Sequence, residues 1–252
     1  PLHGKWEAVR KNKIETVLIN GAECEPYCTA DNRTMVEDSD HIKSGIEILK
    51  RFVGAKEYVI GIEANKPEAI SHLTEVFKDD PSVIVKTLES VYPQGAKQVL
   101  LWNATGKVVA AGQRLASLGV IITNVTTLAK MALYFETGMP LIEKCVSVDG
   151  SAVKEPKNII VPIGTSFEYC LEACGGFKEE PRKVIEGGPM MGRTVPDLNE
   201  SVVKATNGIV AMGEKEATLP QPSACIICVK RVDQVPSNTI RIILVNALII
   251  LY

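Results

Sequence analysis

The chain has 252 residues, 46% of them apolar, which suffices for one large domain or two ordinary ones with a sizeable core and excludes a disordered chain. Its 28 basic and 30 acidic residues leave a formal net charge of -2, so no overall basic field recruits nucleic acid or anionic lipid. The expected partner is a small molecule or another protein. Seven cysteines, an odd number without the spacing of a secreted disulfide framework and without a signal peptide before them, point to a reducing cytoplasm. No run reaches the roughly 20 apolar residues of a membrane-spanning helix. The apolar stretch 240–252 (IRIILVNALIILY) is expected to pack on protein, with an amphipathic membrane contact as the alternative. The abrupt opening Pro1-Leu2-His3-Gly4-Lys5-Trp6 reads as a piece of something longer, and both ends are treated as incomplete.

In chain order, the first half alternates short β-branched runs with amphipathic helical patterns, as a helix-covered parallel sheet does. Thr16 to Ile19 is a strand running into the Gly21 turn. Ile42, Ile46, Leu49 and Val53 recur at helical spacing and predict a helix over 41–53 behind Asp40 as N-cap. A strand follows at 58–62, then a helix with Pro67 in its first turn and Ile70, Leu73 and Phe77 inward. The rhythm repeats with a strand at 83–88, a helix at 96–104, a strand at 120–123 and a helix at 127–136 closed by Gly138. From about Pro140 short β-rich pieces are punctuated by glycine and proline, with one helical stretch at 166–174, which predicts a smaller α+β unit ending near Gly187–Gly192. The fold class is therefore α/β, a Rossmann-like parallel sheet followed by a small α+β domain.

In an open parallel sheet ligands bind beyond the carboxyl ends of the strands, so the loop Asn20-Gly21-Ala22-Glu23-Cys24-Glu25-Pro26 stands where a nucleotide would lie. Asn20 offers donor and acceptor, and Glu23 and Glu25, at i and i+2, share a face if the segment is extended. Such carboxylates accept hydrogen bonds from ribose hydroxyls or a nicotinamide amide; taken alone, an acidic turn is more often a solvated one. No Gly-x-Gly-x-x-Gly occurs, so a nucleotide site must be built otherwise. The turn Tyr92-Pro93-Gln94-Gly95 brings an aromatic ring and bare backbone to a planar ligand, and Asn124 to Thr127 opens a helix whose positive end cradles a phosphate. Ordinary capping is the alternative for both segments. Cys170 and Cys174, like Cys24, Cys28 and Cys145, are expected to be small core residues, and Met190-Met191 to pack beside a glycine turn. His3, His41 and His72 form no cluster.

The segments INGAECEPY, GIEANKPEAI, YPQGA, NVTTLA, GMPLIEKC and GGPMMG, in this order, resemble the RnfC family of the Rnf electron-transport complex from Lys5 to about Ile227. That family is similar to the NADH-oxidising flavoprotein subunit of the first respiratory complex. The resemblance implies an FMN and NADH domain at 1–137, a soluble-ligand-binding β-grasp domain at 138–200, and a connector with a partial iron-sulfur segment at 201–252. It implies that NADH reduces FMN, that the electrons leave singly through 4Fe-4S clusters, and that the partners are NADH, other subunits of the complex and, indirectly, ferredoxin. The protein is then cytoplasmic or peripheral on the inner face of the membrane. By position, Lys5 follows the flavin-binding glycine loop, which in the family precedes the equivalent of Pro1. Asn20, Glu23 and Glu25 lie along FMN and nicotinamide, Tyr92 and Gly95 face the flavin ring edge, and Asn124 and Thr127 stand at its phosphate.

Departures from the family pattern are Lys97 in place of glutamate, Ala64 in place of aspartate, and Arg231 and Val235 at the third and fourth positions of a cluster motif that keeps Cys225 and Cys228. Half a zinc site or a redox pair are the other readings of Cys-x-x-Cys. From a different class, the rival reading is a non-catalytic ligand-binding or scaffold module of a redox complex, as in a proline reductase or cobalamin reductase partner.

Overall fold

The computed structural model describes residues 2–110 and 112–218; Cys225, Cys228, Arg231, Val235 and the run 240–252 lie outside the described residues. Along the chain the elements are α1 (Leu2–Lys11), β1 (Thr16–Asn20), α2 (Ala30–Glu37), α3 (Ser39–Val53), β2 (Glu57–Glu63), α4 (Pro67–Val76), β3 (Val83–Leu88), α5 (Lys97–Thr105), β4 (Val120–Asn124), α6 (Val125–Thr137), β5 (Glu143–Asp149), β6 (Lys157–Pro162), α7 (Phe167–Ala173), β7 (Lys183–Glu186), β8 (Arg193–Thr194), β9 (Gly208–Met212) and α8 (Glu214–Ala217). The described residues form two compact units, one holding those up to Ala22 together with Ile46–Asn124, the other holding Glu23–Gly45 and 125–218.

In the first unit four parallel strands stand in the order β3-β2-β1-β4. Thr16–Asn20 of β1 face Glu57–Gly61 of β2 on one side and Val120–Asn124 of β4 on the other. A parallel strand covered on both faces has to be apolar throughout, and Val17, Leu18 and Ile19 are fully buried. Leu18, Val59, Val120 and Ile122 pack with Leu100, Leu101 and Ala104 of α5. Gly61 permits that close approach, because a Cβ there would lie 2.8 Å from Leu100 Cδ1 and 2.9 Å from Leu88 Cδ1.

In the second unit α2 meets α6 through Thr126, whose hydroxyl donates to Asp31 Oδ1 at 2.6 Å and lies 3.0 Å from that of Thr34. The sheet has the order β6-β5-β9-β7-β8, with β5 antiparallel to β6 but parallel to β9. Alternation along the strands divides its two faces. Val184, Ile209 and Ala211 pack with Phe167, Cys170, Leu171 and Cys174 on and after α7. The intervening Ile185, Val210 and Met212 pack instead with Tyr27 and Ala217. Ser166 caps α7 by accepting the Tyr169 amide at 3.2 Å.

Each strand and helix expected up to Gly138 is present, and the parallel sheet followed by a second sheet agrees with the expected fold class. Asp40 lies inside the first turn of α3 rather than capping it. The strands β7 to β9 were not foreseen; β9, in the stretch read as connector, pairs with both β5 and β7. Cys170 and Cys174 are core residues as expected, whereas Met190 and Met191, in the turn after β7, are exposed rather than packed.

These contacts set the stability of the chain and its dependence on pH. Leu100→Ala removes a fully buried side chain and is expected to cost about 2–5 kcal/mol in urea unfolding. His41 hydrogen-bonds Asp38 through Nδ1 and has Glu136 Oε2 3.3 Å from Nε2. The Asp38 hydrogen bond and the two carboxylate charges raise its pKa against the opposing effect of burial. Raised on folding, this pKa gives stabilisation that is complete below the ordinary value of about 6.5 and is lost as pH rises through the higher folded value. The urea midpoint of His41→Gln should therefore fall less between about pH 6 and pH 9 than that of the parent chain.

Candidate functional site

At the carboxyl end of the first sheet, β1 and β4 end in register on Asn20 and Asn124. Asn20 is occupied at both ends of its amide: Nδ2 donates to the Gly95 carbonyl at 3.0 Å, and Oδ1 accepts the Ala22 amide at 3.1 Å. One side chain thereby fixes the turn after β1 and the turn before α5. The Gly21 amide adds a bond to the Gly61 carbonyl at 2.9 Å. In the second turn Tyr92 is exposed and precedes a cis proline, while Gln94 is fully buried. Gln94 Oε1 accepts from Asn103 Nδ2 at 2.8 Å, but its Nε2 has no hydrogen-bond partner among the described residues.

Two lysines, Lys5 and Lys97, act on one another electrostatically. Helix α5 starts with Lys97, has no side-chain cap and no acidic residue in its first turn. Lys5 on α1 is half-buried, and its pKa is lowered by burial first and then by the charge of Lys97. Neither amine has a carboxylate ion-pair partner among the described residues. At the end of β2, Glu63 is buried with Lys66 Nζ 3.3 Å from its Oε2.

The second unit holds the acidic part of the loop. Glu23 accepts the amides of Asp31 at 2.9 Å and Asn32 at 3.1 Å, so it caps α2, whose own N-cap residue Thr29 makes no side-chain cap bond. Glu25 Oε2 accepts the Met190 amide at 3.0 Å. Residues 21–28 form no strand, and the two carboxylates take backbone amides of different segments, Glu23 those of α2 and Glu25 that of Met190. Thr127 is exposed at the start of α6, and its neighbour Thr126 is the one turned onto α2.

Cys28, Cys170 and Cys174 are buried, as the core reading expects, whereas Cys24 and Cys145 are only half-buried. Burial, followed by the nearby carboxylates Glu23, Glu25, Asp31 and Asp149, pushes the Cys28 thiol up to about 12, and burial pushes Cys170 up to about 11. Both are neutral thiols near pH 7, unsuited to attack or to metal ligation without prior ionisation. Among the described residues no group of three or more His, Cys, Asp or Glu is placed to hold a metal. In the native protein Cys28 is expected to resist iodoacetamide at about pH 8 and to react fully after unfolding; peptide mass spectrometry checks this, and rapid native labelling would contradict it.

Sequence reading named the turn holding Gln94 and, separately, Lys5 and Lys97, but not the buried amide of Gln94, the proximity of the two lysines or the burial of Glu63. A buried carboxylate at the end of a parallel strand was visible in GIEANK only as an apolar run closing on an acid. The unsatisfied amide needs the packing of Asn103, which no spacing reveals.

A parallel α/β unit with its polar groups gathered at the carboxyl ends of the strands, joined to a mixed sheet, defines the class of nucleotide- and flavin-binding folds. The chain belongs to the family of the Nuo51 FMN-binding domain, which residues 1–133 match, and residues 145–194 match the SLBB domain. It is 40% identical over 228 residues to a subunit of the proton-translocating ferredoxin:NAD+ oxidoreductase complex of Clostridium ljungdahlii, covering 90% of this chain and 50% of that protein. It is 39% identical over 236 residues to the counterpart in the Na+-translocating complex of Acetobacterium woodii, covering 94% of this chain and 53% of that protein. The chain thus spans about half the length of these relatives. Among solved structures, an NAD+-reducing [NiFe]-hydrogenase matches in fold with a TM-score of 0.68 at 17% identity, over 85% of this chain and 43% of that one. These matches bear out the expected resemblance and fold class. Among the described residues no helix is long and apolar enough to cross a membrane.

Proposed function

We propose that the full-length protein is an electron-transfer flavoprotein subunit that oxidises NADH through FMN and feeds iron-sulfur clusters within a ferredoxin:NAD+ oxidoreductase complex, peripheral on the inner face of the membrane. The observation that carries this reading is the set of unmatched donors in the FMN-binding domain: the buried Gln94 Nε2 and the adjacent amines of Lys5 and Lys97. A flavin mononucleotide presents ring carbonyls and a phosphate, which accept hydrogen bonds and attract positive charge, so the donor set fits those parts of it. When bound, FMN takes two electrons from NADH and returns them singly.

The chain's own residues bind and orient. Asn20, Tyr92 and Gly95 hold the ring edge, and Asn20 does so by keeping two turns in fixed relation. Asn124 and Thr127 serve the phosphate, Lys5 adds a cation, and Glu23 and Glu25 receive the nicotinamide nucleotide. Cys225 and Cys228, outside the described residues, would offer two thiolates to a cluster, but Arg231 and Val235 at the motif's third and fourth positions supply no iron ligand, so these four positions do not complete a four-cysteine set. The ferredoxin and complex subunits enter as partners because the relatives are named for such a complex.

A non-catalytic scaffold is the second reading, and Arg231 and Val235, standing where the resemblance places cluster cysteines, favour it. Fluorescence titration of the full-length protein with FMN separates the two. Retention at micromolar concentration, weakened about tenfold by Asn20→Ala, supports the first. Failure of the parent protein to retain FMN sinks it.

A further inference from the structure

Residues 25–29 run across one face of the second sheet, strand by strand. Thr29 is bonded at the β6 and β5 edge: its amide donates to Ser147 Oγ at 2.9 Å, and Asn158 Nδ2 donates to its hydroxyl at 2.8 Å. Cys28 lies against Gly208 at the start of β9, where a Cβ would come 2.9 Å from its Sγ. Tyr27 packs on Ile185 of β7 and on Val210 and Met212 of β9, and its hydroxyl donates to Glu216 Oε1 of α8 at 2.8 Å. Glu25 is reached by the Met190 amide in the turn that follows β7. The opposite sheet face is filled by α7.

The glycines of that turn are required by its geometry. Gly187 has φ +90°, and a Cβ on Gly188 would stand 2.5 Å from Glu25 Cβ and 2.6 Å from its Cδ. The second clash involves the flexible end of the side chain; the first lies next to the backbone, so an alanine there cannot be accommodated by a rotamer change alone. Tyr27 itself has φ 67°, a conformation rare for a bulky residue and sustained here by the packing of its ring and the bond to Glu216.

We propose that the occupant of this face of the second sheet is the chain's own segment 25–29, and that Gly188, Met190 and Glu216 are positioning residues which set where the Glu25 carboxylate stands. The sheet works as an internal brace for the acidic loop. The functional half of this inference rests on the reading that Glu25 receives the nicotinamide nucleotide; the positional half does not.

The test uses the full-length protein with FMN and the variants Gly188→Ala, Tyr27→Phe, Glu25→Ala and Glu25→Gln. Hydrogen exchange followed by mass spectrometry reads position without reference to activity. Gly188→Ala and Tyr27→Phe should speed exchange in peptides covering 23–29 and 187–192 at least tenfold while leaving the β1 to β4 peptides unchanged. Glu25→Gln, which keeps an acceptor for the Met190 amide, should retain the protection that Glu25→Ala loses. In steady-state assays Gly188→Ala should raise the KM for NADH about tenfold with unchanged FMN content, and the double variant Gly188→Ala, Glu25→Ala should be no worse than Glu25→Ala alone.

Exchange in 23–29 that ignores Gly188→Ala and Tyr27→Phe overturns the brace. Faster exchange with an unmoved KM, or KM effects that add in the double variant, overturns the positioning of Glu25. A parent protein whose flavin is not reduced by NADH defeats the functional reading alone, and the exchange data then decide the brace by themselves.

Discussion

The structure depends on how the chain leaves β1. Within ten residues, from Asn20 to Thr29, nearly every side chain with a polar group is committed to a backbone amide, a carbonyl or a side chain far away in sequence. Asn20 answers Gly95, Glu23 the first turn of α2, Glu25 the Met190 amide, Tyr27 Glu216 and Thr29 Asn158. A loop with no strand or helix of its own leaves its backbone partners to be found elsewhere. Here the side chains find them, Asn20 within the first unit and Glu23 to Thr29 within the second.

This changes the meaning of the acidic residues. Read in isolation, Glu23 and Glu25 are two carboxylates offered to a ligand. In the folded chain Glu23 uses both oxygens to cap a helix, a place where the partial positive charge of the helix end favours a carboxylate. Glu25 receives one backbone amide and retains acceptor capacity, since an ionised carboxylate has about four lone-pair sites. Of the two, Glu25 is therefore the better placed to accept a further hydrogen bond, and Glu23 the better placed to keep α2 and the loop together.

Much of the first unit was legible in the sequence because its physics is periodic. TVLI, YVIGI and VIITN are apolar runs of strand length, and Ile42, Ile46 and Leu49 mark a helix face that is buried. Helix α2 escaped notice because ADNRTMVE buries only Ala30 and Met35, too few for a stripe, and owes its start to Glu23 from outside the helix. Strand β9 escaped because GIVAM, buried on both faces, is short and stands far along the chain from its partner β5. At the site, glycines and asparagines at strand ends announced the region. The unpartnered amide of Gln94, the meeting of Lys5 with Lys97 and the need for a bare Gly188 against Glu25 are products of tertiary packing, carried by no local pattern.

The FMN-binding domain thus offers the donors of Gln94, Lys5 and Lys97, and on our proposal the second sheet braces the acidic loop. Passage of electrons from NADH to a flavin held by these residues is the central claim. The most direct test is the anaerobic visible spectrum of the full-length, FMN-loaded protein before and after stoichiometric NADH. Bleaching of the oxidised flavin band within the mixing time of a turnover experiment is the predicted result; a flavin band that stays unchanged while bound FMN is retained would contradict it.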